Sequence, residues 1–130
     1  MPTTDRADVE LRLPAEGAYV AVVRSTTAGL AARLDFTIDD IEDLKIVVGE
    51  AGALLLELAE PGSDLTVEFH LGEGRLDLAL SATVVPGATI DRDGFAWLML
   101  STLAPDADAR QDGTALRLTL AATSSLLDRA

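Results

Sequence analysis

The hydrophobic pattern of the chain changes its period at Pro61-Gly62, and this change restricts the fold more than any other feature of the sequence. Before it, from Ile41 to Leu58, apolar residues recur at the spacing of one face of a helix. After it, from Leu65 onward, apolar and polar residues alternate, as they do in strands with one buried face. A helical half followed by a strand-rich half predicts an α+β domain.

The same reading divides the whole chain into helices and strands. The predicted elements are a strand at 9–13, helices at 16–34 and 37–60, strands at 65–71 and 76–81, a helix at 95–103, and strands at 107–110 and 115–121. We expect Thr37 with Asp40 in a near-capping box at the start of the second helix, and Asp93 as the cap of the third. The residues expected on the apolar stripe of the first helix are Tyr19, Val22, Val23, Thr26, Leu30 and Leu34. This order implies a two-layer α+β sandwich, with one mixed but mainly antiparallel sheet covered by helices.

The length of 130 residues suits one domain. We predict a single domain over residues 1–130, with an ordered core at 9–121 and loose tails at 1–8 and 123–130. We also expect Phe95, Trp97, Met99 and Leu100 to serve mainly as core, with an exposed subset available to a partner or a dimer contact. The edge strand at 9–13 could pair between two chains to form a homodimer.

The charge balance excludes several classes of function. The net charge is −12 and the isoelectric point about 4.2, so the chain repels a phosphate backbone, and we reject direct nucleic-acid binding. The same charge favours a basic protein partner. There is no cysteine, and His70 is the only histidine, which argues against a zinc site. With no basic and apolar leader and no apolar run of about 18 residues, we expect a soluble, cytoplasmic protein that does not bind membranes.

Three stretches carry a resemblance to a known family: LDFTIDDIEDLKIVVGEA, DGFAWLMLSTLAPDADARQDG and TALRLTL. Together with the order of the elements, they resemble the RsbW-like anti-sigma factors from about Val9 to Ala121. These are bacterial switch proteins with the histidine-kinase-like ATPase fold, and the fit is best to actinobacterial members with a shortened nucleotide region. The resemblance implies binding to an alternative sigma factor of the stress and sporulation group, and release by an anti-anti-sigma (STAS-type) protein.

The resemblance also implies a motif on the second helix, in which a Glu is followed four residues later by an Asn. Residues i and i+4 share a helix face, so the Glu can act as a base while the Asn holds Mg²⁺ beside the nucleotide phosphates. Here Glu50 matches the first position, but Leu54 stands at the second and offers the metal no oxygen. The glycine boxes are also missing: Gly87 and Gly94 are seven residues apart, and no acid precedes Gly87 at motif spacing. Asp91 and Asp93 lie nearby, but an Asp-x-Asp-Gly sequence is common in turns and only a weak candidate for the adenine-binding Asp. We therefore expect little or no kinase activity and no cofactor, with ATP and Mg²⁺ as the alternative.

Two residues are candidates for function, and each has a plainer interpretation. Glu50 is either a vestigial general base for phosphoryl transfer or a helix carboxylate at the edge of a former pocket. The second is favoured because, without a metal ligand at position 54, the base has no positioned phosphoryl group. By the resemblance, Arg24 falls on an arginine that contacts both the sigma factor and its antagonist. The alternative is an ordinary solvated arginine.

These observations favour an anti-sigma factor that acts by sequestration, because sequestration needs a surface and no chemistry. Two alternatives stay open. One is an ATP-dependent serine kinase that phosphorylates the anti-anti-sigma protein, with Glu50 as its base. The other is a degenerate ATPase-fold domain that serves as a sensor or scaffold.

Overall fold

The computed structural model describes residues 6–127. Each predicted helix and strand is present, with ends that differ by a few residues. The elements are β1 (Val9–Pro14), a 3-10 turn (Gly17–Tyr19), α1 (Val20–Arg33), α2 (Ile38–Leu58), β2 (Asp64–Gly72), β3 (Arg75–Thr83), α3 (Phe95–Leu103), β4 (Asp108–Asp112) and β5 (Ala115–Thr123).

The five strands form one sheet in the order β1-β2-β3-β5-β4. Every pairing between them is antiparallel, so the mixed sheet expected from the sequence is antiparallel throughout. The reason is that the connection through α3 carries the chain to the sheet edge at β4, and β5 then returns beside β3. The register aligns Val67, Leu80 and Leu118 in one row across three strands, and all three side chains are buried. This apolar face packs against the helices, which confirms the two-layer α+β class.

The start of α2 follows the predicted local chemistry. The Thr37 hydroxyl accepts a hydrogen bond from the Asp40 backbone N–H at 3.1 Å, and the Asp40 carboxylate accepts one from the Thr37 N–H at 3.1 Å. This reciprocal pair is a capping box and satisfies N–H groups that the helix itself leaves unpaired. It fixes the first turn of α2, the helix that also carries Glu50.

The buried face of α1 agrees with the predicted one only in part. Its buried residues are Val20, Val23, Thr27 and Ala31. Val23 is buried as predicted, and the predicted Leu30 and Leu34 pack against the core. Tyr19 and Val22 are instead 37% and 42% exposed, so the prediction is wrong for these two residues. Small or apolar residues surround α1 on most sides, and a weak contrast between faces cannot indicate which one is buried.

One expectation for α3 is wrong, because the cap is Gly94 rather than Asp93, and no side chain caps the helix. Of the four residues expected as core with an exposed subset, Leu100 is fully buried and Phe95 is 74% exposed. Because only nine residues form this helix, one narrow side of it reaches the core and the opposite side stays in solvent.

The segment after β5 is held against α2, which differs from the loose tail expected from residue 123. Ser124 is 1% exposed, and its hydroxyl donates to the Asp35 carbonyl at 2.8 Å. The backbone N–H and the hydroxyl of Ser125 both donate to the Asp40 carboxylate at 3.0 Å. These hydrogen bonds hold Ser124 and Ser125 in place, which their polar sequence did not predict. At the other end, Asp8 is hydrogen-bonded to β2, and the tail residues 1–5 and 128–130 lie outside the described part.

Asp40 therefore joins the helix cap and the last described segment. Burial alone would raise the pKa of its carboxyl, but the hydrogen bonds from Ser125 and Thr37 together outweigh burial and lower that pKa below its ordinary value of 3.8. A lowered folded-state pKa means that the carboxylate stabilises the fold above the ordinary value. The contribution is lost as the pH falls below 3.8 through the folded-state pKa.

Replacing this carboxylate should lower stability at neutral pH. We expect Asp40→Asn to reduce the free energy of unfolding by about 1–2 kcal/mol, because the amide weakens both the cap and the bonds from Ser125. Asp39→Asn is the matched control, since Asp39 lies in the same first turn without these bonds. Urea unfolding at neutral pH and below pH 3.8 measures the difference, which should shrink in acid. An equal loss in both variants would show that only the helix dipole matters.

Candidate functional site

The structure brings the two sequence-predicted candidates, Arg24 and Glu50, into one groove. It is an open cavity of about 790 Å³ on the outer side of α1 and α2. Val20, Ile46 and Gly49 give it a mainly apolar floor, with charged groups around them. A groove of this kind, apolar at the base and charged at the sides, is suited to binding another protein.

Gly49 makes room for the Arg24 side chain. A Cβ built on Gly49 would lie 3.4 Å from Nη1 and 3.5 Å from Cδ of Arg24, so the arginine lies directly over the backbone of α2. Gly52 allows a similar approach by Val20, whose methyl carbons would meet its Cβ at 3.4 Å. Glycine in a helix interior costs about 1 kcal/mol relative to alanine. Two such residues in one helix were the sequence signal for this close packing, and our sequence analysis missed it.

Arg24 is half-buried by this packing, and its guanidinium is free to bind. Within residues 6–127, no hydrogen bond or ion pair engages it. The other cation of the groove, Lys45, lies 3.4 Å from the carboxylate of Glu42. A planar guanidinium held in place by its own stem is well suited to pair with a carboxylate.

Glu50 and Leu54 lie in different environments, although they are one helical turn apart. Glu50 is half-buried at the groove, and within the described part of the chain no hydrogen bond or ion pair engages its carboxylate. Leu54 is 8% exposed and belongs to the hydrophobic core. The position of the metal-holding amide is thus filled by a core side chain, and the pair cannot work as a Glu/Asn motif.

The loop between β3 and α3, where the resemblance implies nucleotide contacts, is closed by its own residues. The Asp91 carboxylate accepts a hydrogen bond from the Asp93 N–H at 3.0 Å. The Arg92 guanidinium donates to the Ala109 carbonyl at 2.8 Å and lies 4.9 Å from the centre of the Trp97 ring. These contacts tie the loop to β4 and α3, so its polar groups serve the protein itself.

A cavity at the C-terminal end of α3 is small. The cavity between α2, α3 and β5 measures about 200 Å³ and is lined by side chains such as Asp43, Val47 and Leu103. Ligand pockets usually measure roughly 300–1,000 Å³. In the part of the chain that the structure describes, no cluster of three His, Cys, Asp or Glu residues could hold a metal ion. Leu54 is a core side chain with no oxygen for a magnesium ion, so the residues at the Glu/Asn position do not fit Mg-ATP, and we derive no step through it.

Among residues 6–127, no helix is both long enough and apolar enough to cross a bilayer.

Comparison with known proteins gives both sequence relatives and a structural neighbour. No protein-family profile matches the chain. Serine-protein kinase RsbW of Halalkalibacterium halodurans is 39% identical over 88 residues, covering 67% of this chain and 52% of the relative. Serine-protein kinase RsbW of Bacillus cereus strain ATCC 10987 is 40% identical over 75 residues, covering 56% of this chain and 47% of the relative. The chain thus spans about half the length of the curated relatives it matches.

The structural neighbour is a crystal structure of the RsbU and RsbW domains of a Mycobacterium tuberculosis protein. It superposes with a TM-score of 0.67 at 17% identity and covers 88% of this chain and 32% of that one. This likeness confirms the fold predicted from the sequence.

Proposed function

We propose, from the premise that this chain is an RsbW-like protein, that it is an anti-sigma factor. It would hold an alternative sigma factor by protein–protein binding and so keep it from RNA polymerase. An anti-anti-sigma protein of the STAS type would release the sigma factor by competing for an overlapping face that includes Arg24. The observation that carries this proposal is the groove in which Gly49 seats an unpaired, half-buried Arg24.

The residues of the groove support sequestration without a nucleotide or a metal ion. It needs a stable surface with anchoring groups, and arginine is enriched among the residues that dominate binding energy. The net charge of −12 would also speed encounter with a basic partner. A leucine at position 54 does not impair such binding, because Leu54 packs inward and adds to the stability of α2. We place this activity in the bacterial cytoplasm, where a sigma factor meets RNA polymerase.

A second candidate is an ATP-dependent serine kinase acting on the anti-anti-sigma protein, with Glu50 as general base. It is favoured by the names of the relatives, which are serine-protein kinases. The buried Leu54 and the small cavity beside α3 weigh against it. A homodimer through the outer edge of β1 is compatible with either function, since β1 ends the sheet.

Titration of the purified chain with each alternative sigma factor of its host tests the proposal. We expect one of them to form a complex that tightens at low salt, and the cognate anti-anti-sigma protein to displace it. Mg-ATP should leave the affinity unchanged, and no labelled phosphate should reach the antagonist. If the chain did bind nucleotide, a nucleotide concentration of one hundred times the dissociation constant would raise its free energy of unfolding by about 2.7 kcal/mol. Failure to bind any sigma factor at low salt would refute sequestration, and phosphate transfer would establish the kinase.

A further inference from the structure

Helix α3 exposes apolar side chains to an unusual degree. Its nine residues, FAWLMLSTL, include no charged group. Phe95 is 74% exposed, Leu98 is 60% exposed and Leu103 is 48% exposed. Phe95 and Leu98, three positions apart, are neighbours on the helix surface, and Leu103, eight positions after Phe95, extends the exposed apolar surface to the end of the helix. We call these three residues the ridge. A surface helix normally carries polar residues on its outer side, and a grouped apolar surface indicates an interaction site.

The ridge is held in a fixed position by its own surroundings. Leu100 anchors the inner side of α3 in the core, and Arg92 joins the start of the helix to Trp97 and to the carbonyl of Ala109. The hydroxyl of Thr102 donates to the Leu98 carbonyl at 2.7 Å, so it is used within the helix. A ridge that is already ordered loses little conformational entropy when a partner covers it.

Carboxylates stand at both ends of the ridge. Asp91 and Asp93 precede α3 and Asp106 and Asp108 follow it, and all four residues are exposed. Two arginines accompany these four carboxylates: Arg92 contacts Trp97, and Arg110 lies 3.6 Å from the Asp108 carboxylate. The ridge is therefore an apolar surface with a mainly negative rim.

We infer that the ridge of Phe95, Leu98 and Leu103 is a second docking surface, and that its occupant is a positively charged protein surface with an apolar cleft. The inference rests on the proposed function, which identifies this occupant with the sigma factor. A sigma factor binds promoter DNA, and a surface that binds phosphates is basic. A second copy of this chain is a poor occupant because it carries the same acidic rim and a net charge of −12.

Making the ridge polar tests this assignment. With the full chain and the sigma factor as the probe, Phe95→Ser combined with Leu98→Ser should weaken binding at least about tenfold. Ile38→Ser is the matched control, because Ile38 is 78% exposed at the first position of α2, and it should leave the affinity within about twofold of the unmodified chain. Both variants alter exposed side chains, and a thermal melt confirms that each one folds. A single Leu98→Ala, which keeps the helix propensity, should weaken binding in the same direction.

The rim is tested separately by Asp93→Asn combined with Asp106→Asn. This variant should bind with a smaller dependence on salt, since two charges that face the basic partner are removed. Ridge variants that bind the sigma factor as tightly as the unmodified chain would overturn the second docking surface and leave sequestration intact. An unmodified chain that binds no sigma factor would overturn the proposed function itself.

Discussion

Arg24→Glu is expected to weaken the complex with the sigma factor by at least about 100-fold, or roughly 3 kcal/mol, while the fold stays intact. The guanidinium lies over Gly49 without a carboxylate partner among the described residues, so it is available to pair with one on the sigma factor. A glutamate there would face that same carboxylate, and it would add a negative charge to a groove that already contains Glu42 and Glu50. Competition by the antagonist should fall as well, because the proposed faces overlap at Arg24.

Arg33→Glu is the matched control for this reversal. Arg33 is an exposed arginine in the last turn of the same helix, so its reversal changes the net charge equally. Isothermal titration at two salt concentrations separates weaker general electrostatic attraction from the loss of one specific ion pair. The first lowers the affinity of both variants, and the second lowers only that of Arg24→Glu. Equal affinities for the two reversed chains would remove Arg24 from the interface, and an unchanged melting temperature would show that both had folded.

Features of the fold that depend on neighbouring residues could be predicted from the sequence. The start of α2 is an example, because Thr37 and Asp40 are three residues apart and complete each other's hydrogen bonds. The hairpin of β2 and β3 is another, since strict alternation with a glycine turn leaves only one face for Leu76 and Leu78 to bury. Where α1 offers little contrast between its faces, the same method identified Val23 correctly but wrongly included Tyr19 and Val22.

Features that depend on distant residues could not be predicted. Ser125 lies 85 residues from Asp40, and the polar tail carries no sign of the bonds that hold it. Arg24 packs against Gly49 of another helix, a contact that spacing within α1 does not reveal. The resemblance placed both Arg24 and Glu50 in the correct helices, and only the packing of α1 on α2 showed that they share one groove.

That shared groove suggests a role for Glu50 other than catalysis. Its carboxylate lies in the same cavity as Arg24. Position 54, where an amide would position a metal, holds a buried leucine. If a carboxylate of a partner segment pairs with Arg24, a neighbouring basic side chain of that segment can pair with the Glu50 carboxylate. The residue that suggests phosphoryl transfer in the sequence thus fits protein binding better in the structure.

Restoring the amide of the Glu/Asn motif should damage the fold and leave nucleotide binding absent. We expect Leu54→Asn to lower the free energy of unfolding by about 2–4 kcal/mol, because it removes a buried aliphatic side chain and places an unpaired amide in the core. Ala53→Asn, one residue earlier and exposed, should cost only about 0.7 kcal/mol through helix propensity. Urea unfolding measures both costs, and Mg-ATP should shift the melting temperature of neither variant. A Leu54→Asn chain with unchanged stability and a clear shift in Mg-ATP would mean that position 54 opens to a nucleotide site, and the argument against the kinase would then fail.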